Sequence, residues 1–176
     1  MRDDLGERRA GDDSAECGGG RLLVSTLRRT ALGHGCTHLI RRDFAVAFPG
    51  DANEVFATFR AFLQALAHAG RRKLRVAYPG APALTPDETL LLAIVAAAQA
   101  GDEALFEAHL CWLTLPEARH AVAITARALA AALVAHGQWL RMSDPRHSGA
   151  PHSGEPETHE HGPIKTWLKP VFMGPG

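Results

Sequence analysis

Residues 85–137 read TPDETLLLAIVAAAQAGDEALFEAHLCWLTLPEARHAVAITARALAAALVAHG, and their punctuation predicts three consecutive helices. Thr85 is placed to cap the free N–H groups of a first turn, Pro86 suits the first helical position, and Glu88 closes a capping box. Leu90, Leu91, Ile94, Val95 and Ala98 recur at helical spacing as far as Gly101, where a left-handed residue ends the helix. Asp102 can cap a second helix, with Leu105, Phe106, Leu110, Trp112 and Leu113 as its apolar stripe. Pro116 opens a third, with Val122, Leu129, Leu133 and Val134 inward and His136-Gly137 at its close. The many alanines favour helix and let neighbouring backbones approach closely.

Upstream the period changes. From His38 to Phe48 the even positions Ile40, Phe44, Val46 and Phe48 are apolar while Arg41 and Asp43 fall on the odd face, which predicts a strand with one buried side. Pro49-Gly50 turns the chain, Asp51 and Glu54 form a second capping-box pattern, and Val55, Phe56, Phe59, Phe62, Leu63 and Leu66 make an amphipathic helix ending at Gly70. A short strand over Leu74 to Tyr78 follows, before Pro79-Gly80. The predicted class is therefore α+β: a small β-α-β unit with parallel strands, followed by a three-helix block. Two strands make a poor sheet, so either Leu22 to Leu27 adds a third or a partner chain covers the open face.

The single domain is expected to span residues 21–137. Residues 1–20 hold six acids, three arginines and the run Gly18-Gly19-Gly20, with little to bury, and read as a disordered tail. Residues 138–176 read as a second disordered tail, rich in Pro, Gly and His; six prolines and five glycines fall after residue 140. Ile164, Trp167, Leu168, Val171 and Phe172 are spaced like a docking helix, but Pro163 and Pro170 limit any helix to little more than one turn. The closing Phe172-Met173-Gly174-Pro175-Gly176 resembles translation running into the non-coding repeats of a GC-rich bacterium.

The hairpin Thr85 to Leu115 resembles a single tetratricopeptide unit, in which paired helices meet through alanines. It lacks the aromatic and glycine pattern of that unit's first helix and does not repeat, so no function is carried over from the resemblance.

No cationic stretch leads into an apolar one at the N-terminus, and the longest apolar run, Leu90 to Ala98, is too short to cross a bilayer. Cys17, Cys36 and Cys111 are odd in number and lack the spacing of a disulfide framework, which fits a reducing cytoplasm. Net charge is zero but unevenly spread: residues 21–80 carry ten basic and three acidic side chains, whereas residues 81–140 carry two and six. The cluster Arg71, Arg72, Lys73 and Arg75 is the candidate site for a polyanion such as a nucleic acid. Against it, there is no helix-turn-helix pattern and no interleaving of aromatic with basic residues, and the plainer reading has the basic half resting on the acidic helices.

His34, Cys36 and His38 are the candidate zinc or thiol site, since both residue types bind zinc and Gly33 and Gly35 permit tight turns. In an extended strand His34 and His38 would lie about 13 Å apart, too far to share one ion. A second pair, His109 and Cys111, is poorly spaced on a helix, where positions two apart diverge. Gly33-x-Gly35 lacks the third glycine of a dinucleotide loop, and Asp87-Glu88 and Asp102-Glu103 are explained by capping. The histidines His147, His152, His159 and His161 would bind metal only adventitiously. The function expected from the sequence is a non-enzymatic protein-interaction or regulatory module, acting on a protein partner or by self-association, without cofactor and without a membrane. Polyanion binding and a metal or thiol site are the alternatives.

Overall fold

The computed structural model describes residues 18–33 and 37–140, with the backbone of 165–166. In chain order the elements are α1 (Gly18–Leu32), α2 (Thr37–Ala47), α3 (Ala52–Ala69), β1 (Arg75–Val76), α4 (Pro86–Ala100), α5 (Glu103–Leu113), a 3-10 turn (Pro116–Ala118), α6 (Arg119–Ala135) and β2 (Lys165–Thr166). The fold is helical, and the expected α+β class with a β-α-β unit is overturned.

The correction begins at α2, which occupies the segment expected as a strand. Ile40, Phe44 and Phe48 are buried, four residues apart, a spacing compatible with either period. Val46 separates the two: a strand would bury it beside Phe44 and Phe48, yet it is 76% exposed. Leu22 to Leu27, the possible third strand, is also helical, with Leu23, Val24 and Leu27 inward. Of the expected strand from Leu74 to Tyr78, two residues remain, and β1 pairs antiparallel with β2, Arg75 opposite Thr166 and Val76 opposite Lys165.

The remaining helices follow their punctuation. In α3 Val55, Phe59, Phe62, Leu63, Leu66 and Ala69 are buried. The Thr85–Glu88 capping box forms in full, and Gly101 ends α4 at φ 69°. Asp102 accepts a hydrogen bond from Leu105 N–H and starts α5. The expected box at Asp51 does not form: its side chain makes no capping bond and lies 3.4 Å from His136 Nε2 instead.

Helix α6 packs on both α3 and α4, α5 packs on α4 and touches α6, and α2 packs on α3. Phe44 is the hub of an aromatic cluster, with ring centroids 5.6 Å from Phe48, 5.1 Å from Phe56 and 6.2 Å from Phe59. The span Pro116–Ala135 is long and apolar enough to cross a bilayer by length and composition. Its Val122, Ala126, Leu129 and Leu133 are buried in the core.

The described residues begin with α1 at Gly18 and run on past α6 to Leu140. Gly18 to Gly20 form the first turn of α1, where a Cβ on Gly19 would sit 3.2 Å from the Cβ of Gln138. Gln99 fastens that same segment to α4, donating to Gln138 O and accepting from Leu140 N–H. Residues 1–17, 141–164 and 167–176, which hold most of both expected tails, lie outside the described residues.

Candidate functional site

The densest polar cluster gathers at the start of α4. Glu88 is buried and accepts four hydrogen bonds: from Arg28 Nε at 2.8 Å, Arg28 Nη2 at 2.9 Å, Thr85 N–H at 2.8 Å and Ala77 N–H at 3.1 Å. Two more Arg28 donors go to the carbonyls of Ala81 and Ala83, at 2.7 and 2.8 Å. Next to it, Asp87 takes the Arg72 fork through both oxygens and accepts from Arg75 N–H at 2.6 Å. Thr85 Oγ1 accepts from Glu88 N–H and donates to the Arg75 carbonyl at 2.7 Å.

The electrostatics follow from this geometry. The Arg72 fork, with help from Arg75 N–H, holds the Asp87 carboxyl below its ordinary range against the opposing effect of burial. Burial pulls Glu88 upward, but Arg28 and the two backbone donors outweigh it and leave its carboxyl below the usual value. Arg28 is correspondingly raised by its bond to Glu88. All four acceptor positions of Glu88 are occupied by the chain, and Asp87 accepts three hydrogen bonds. The cluster ties α1, β1, the loop of residues 79–84 and α4 together.

The arrangement bears directly on the arginine cluster. Arg72 is bound to Asp87, and Arg71 Nε donates to Thr114 O at 2.8 Å, while Lys73 and Arg75 are exposed. Two of the four cations are thus engaged with the fold. Of the zinc candidates, His34 and Cys36 lie outside the described residues, and His38 is exposed on the first turn of α2. Among the described residues no group of three His, Cys, Asp or Glu side chains is placed to hold a metal. His109 and Cys111 diverge, with Cys111 exposed and the His109 Nε2 atom buried without a hydrogen-bond partner. His147, His152, His159 and His161 lie outside the described residues.

A different surface emerges on α5. Phe106, Leu110 and Leu113 are buried, so the outward side presents Ala104, Leu105, Ala108, Cys111 and Trp112. Trp112 is 80% exposed and Leu105 40%, although both were expected in the inward stripe. At 100° per residue Leu105 and Trp112 lie within about 20° of each other and well away from the centre of the buried trio, so helical spacing alone could have separated them. An outward helix side normally carries charge, whereas from Ala104 to Trp112 the one charged residue of α5 is Glu107, half-buried at the flank of this side. The outward side of α6 is similarly poor in charge, with Ala121, Ile124, Ala128 and Ala131 exposed. Arg127 of α6 joins the two helices by pairing with Glu103 and lying 4.6 Å over the Phe106 ring.

No family model matches this chain, and no curated protein or solved structure matches it either.

Proposed function

We propose that this chain is a helical protein-interaction module that binds through the outward side of α5, rather than an enzyme. The carrying observation is Trp112, 80% exposed on a helix side that otherwise presents Ala104, Leu105, Ala108 and Cys111. Exposed apolar surface of this kind is costly to leave in water, and tryptophan is enriched among the residues that dominate protein contacts. The reading is supported by Glu88, whose four acceptor positions are taken by Arg28 and two backbone N–H groups, and by the pairing of Asp87 with Arg72. Polyanion binding has weaker support, because Arg72 is committed to Asp87.

Trp112→Glu tests the proposal, since the side chain is outside the core. The variant should keep the melting temperature of the parent and lose association, read as chemically cross-linked adducts of the purified full chain and of the chain in cells. Undiminished adducts in a folded Trp112→Glu protein would refute this surface.

A further inference from the structure

The exposed side of α5 is arranged about its own midpoint. At about 100° per residue, Ala104, Leu105, Cys111 and Trp112 all lie within about 60° of Ala108, which is also the middle residue of the helix Glu103–Leu113. Leu105 and Trp112 fall on one flank of Ala108, and Ala104 and Cys111 on the other. Each flank thus carries one residue before Ala108 and one after it at nearly equal distance along the axis, large and apolar on the first flank, small on the second.

Charge is distributed along the same axis. At the N-terminal end Asp102 is exposed and accepts from Leu105 N–H through Oδ1. At the C-terminal end Arg71 is exposed and donates from Nε to the carbonyl of Thr114, the residue that ends α5. Among the described residues nothing else binds its guanidinium, whose Nη groups remain to serve a partner. Glu117 and Arg119, the next charged residues in the chain, offset each other. An acid at the start of a helix and a cation at its end suit the helix's own dipole, and they also match the ends of a like helix laid antiparallel.

Resting on the α5 reading above, we infer that the partner is a second copy of this chain, docked α5 against α5, antiparallel, about a two-fold axis level with Ala108. A two-fold contact uses the same patch twice, so the patch must complement itself. In this arrangement Trp112 packs on Leu105 of the second copy and Leu105 on its Trp112, while Cys111 meets its Ala104 and Ala108 meets Ala108. The small residues let the backbones approach, and the large pairs fill the other flank. Asp102 comes level with Thr114 of the second copy, where Arg71 is held, and the symmetry makes that match twice. Glu107 approaches its own copy only at the rim, where solvent screens the two charges.

The test is sedimentation equilibrium of the purified full-length chain, whose mass should rise with concentration to that of two chains. Arg71→Glu, with its helix content checked by circular dichroism, should weaken the dimer about tenfold or more. A second measurement does not depend on that variant. With Cys17→Ser, Cys36→Ser and Cys111→Ser in place, Ala108→Cys should close a disulfide between copies under copper–phenanthroline, because Ala108 faces itself across the axis. Ala57→Cys, exposed on α3, should not. A chain that stays monomeric at every concentration would overturn this inference alone and leave α5 to a different protein. A dimer that persists in Trp112→Glu would overturn it together with the α5 reading. Unchanged affinity in Arg71→Glu, or a disulfide from Ala57→Cys and none from Ala108→Cys, would overturn the antiparallel two-fold.

Discussion

Arg28 of α1 and Glu88 of α4, sixty positions apart in sequence, meet through two hydrogen bonds of 2.8 and 2.9 Å in a buried setting. Removing one partner of such a pair strands the other charge away from water. Arg28→Ala should therefore lower the stability to urea by about 3 kcal/mol, at the lower end of such losses because Glu88 keeps its two backbone donors. The double variant Arg28→Met with Glu88→Met should recover part of that loss. Equal destabilisation by Arg28→Ala and by Arg28→Met with Glu88→Met would show that the charges are not the source.

Acid should weaken this corner of the fold. Asp87 and Glu88 both have folded-state values below their ordinary ones, so each contributes stability that is present above the ordinary carboxylate range and lost as pH falls through the lowered folded value. Stability should hold near neutrality and fall below about pH 4.5, and Asp87→Asn should flatten part of that fall. Chemical denaturation at a series of pH values measures it. An unchanged slope in Asp87→Asn would remove Asp87 from the account.

Capping gives a sharp contrast between two residues with the same apparent motif. Thr85→Ala should cost about 1 to 2 kcal/mol, since Thr85 caps α4 and also holds the Arg75 carbonyl. Asp51→Ala should cost less than about 0.5 kcal/mol, because Asp51 makes no capping bond. Comparable losses in thermal or urea unfolding would mean that Asp51 caps α3 after all.

Helix α2 is tested by its two extremes. Phe44→Ala should cost about 3 to 5 kcal/mol, whereas Val46→Asp should change stability by no more than about 0.5 kcal/mol. A strand would put both side chains on one buried face and make both substitutions severe.

These contrasts also show what could be read before the fold was seen. The helices from Thr85 onward were legible because their ends are set by local chemistry: a Thr-to-Glu box, an Asp cap and a left-handed glycine. Residues 38–48 were not, because Ile40, Phe44 and Phe48 satisfy both periods and a single valine decides between them. The Asp51 and Glu54 pattern was present in sequence, but the fold places His136 beside Asp51. Glu88 was fully explained as a cap, so nothing local announced that it also holds Arg28 from a distant helix. The exposed face of α5 was within reach, since Leu105 and Trp112 share one side of the helix and Phe106, Leu110 and Leu113 another. The pairing of β1 with residues 165–166 was not, because it joins segments about ninety positions apart and carries no side-chain pattern.

The claim that α5 is the contact surface is tested most directly by position-specific photo-cross-linking of the folded, full-length chain. A photoreactive residue placed in turn at Leu105, Ala108 and Trp112 should give one discrete protein adduct, whether with a second copy or with another protein. The same probe at Asn53 and Ala57, exposed on α3, should give none. Adducts at the α3 positions with none at the three α5 positions would contradict the account.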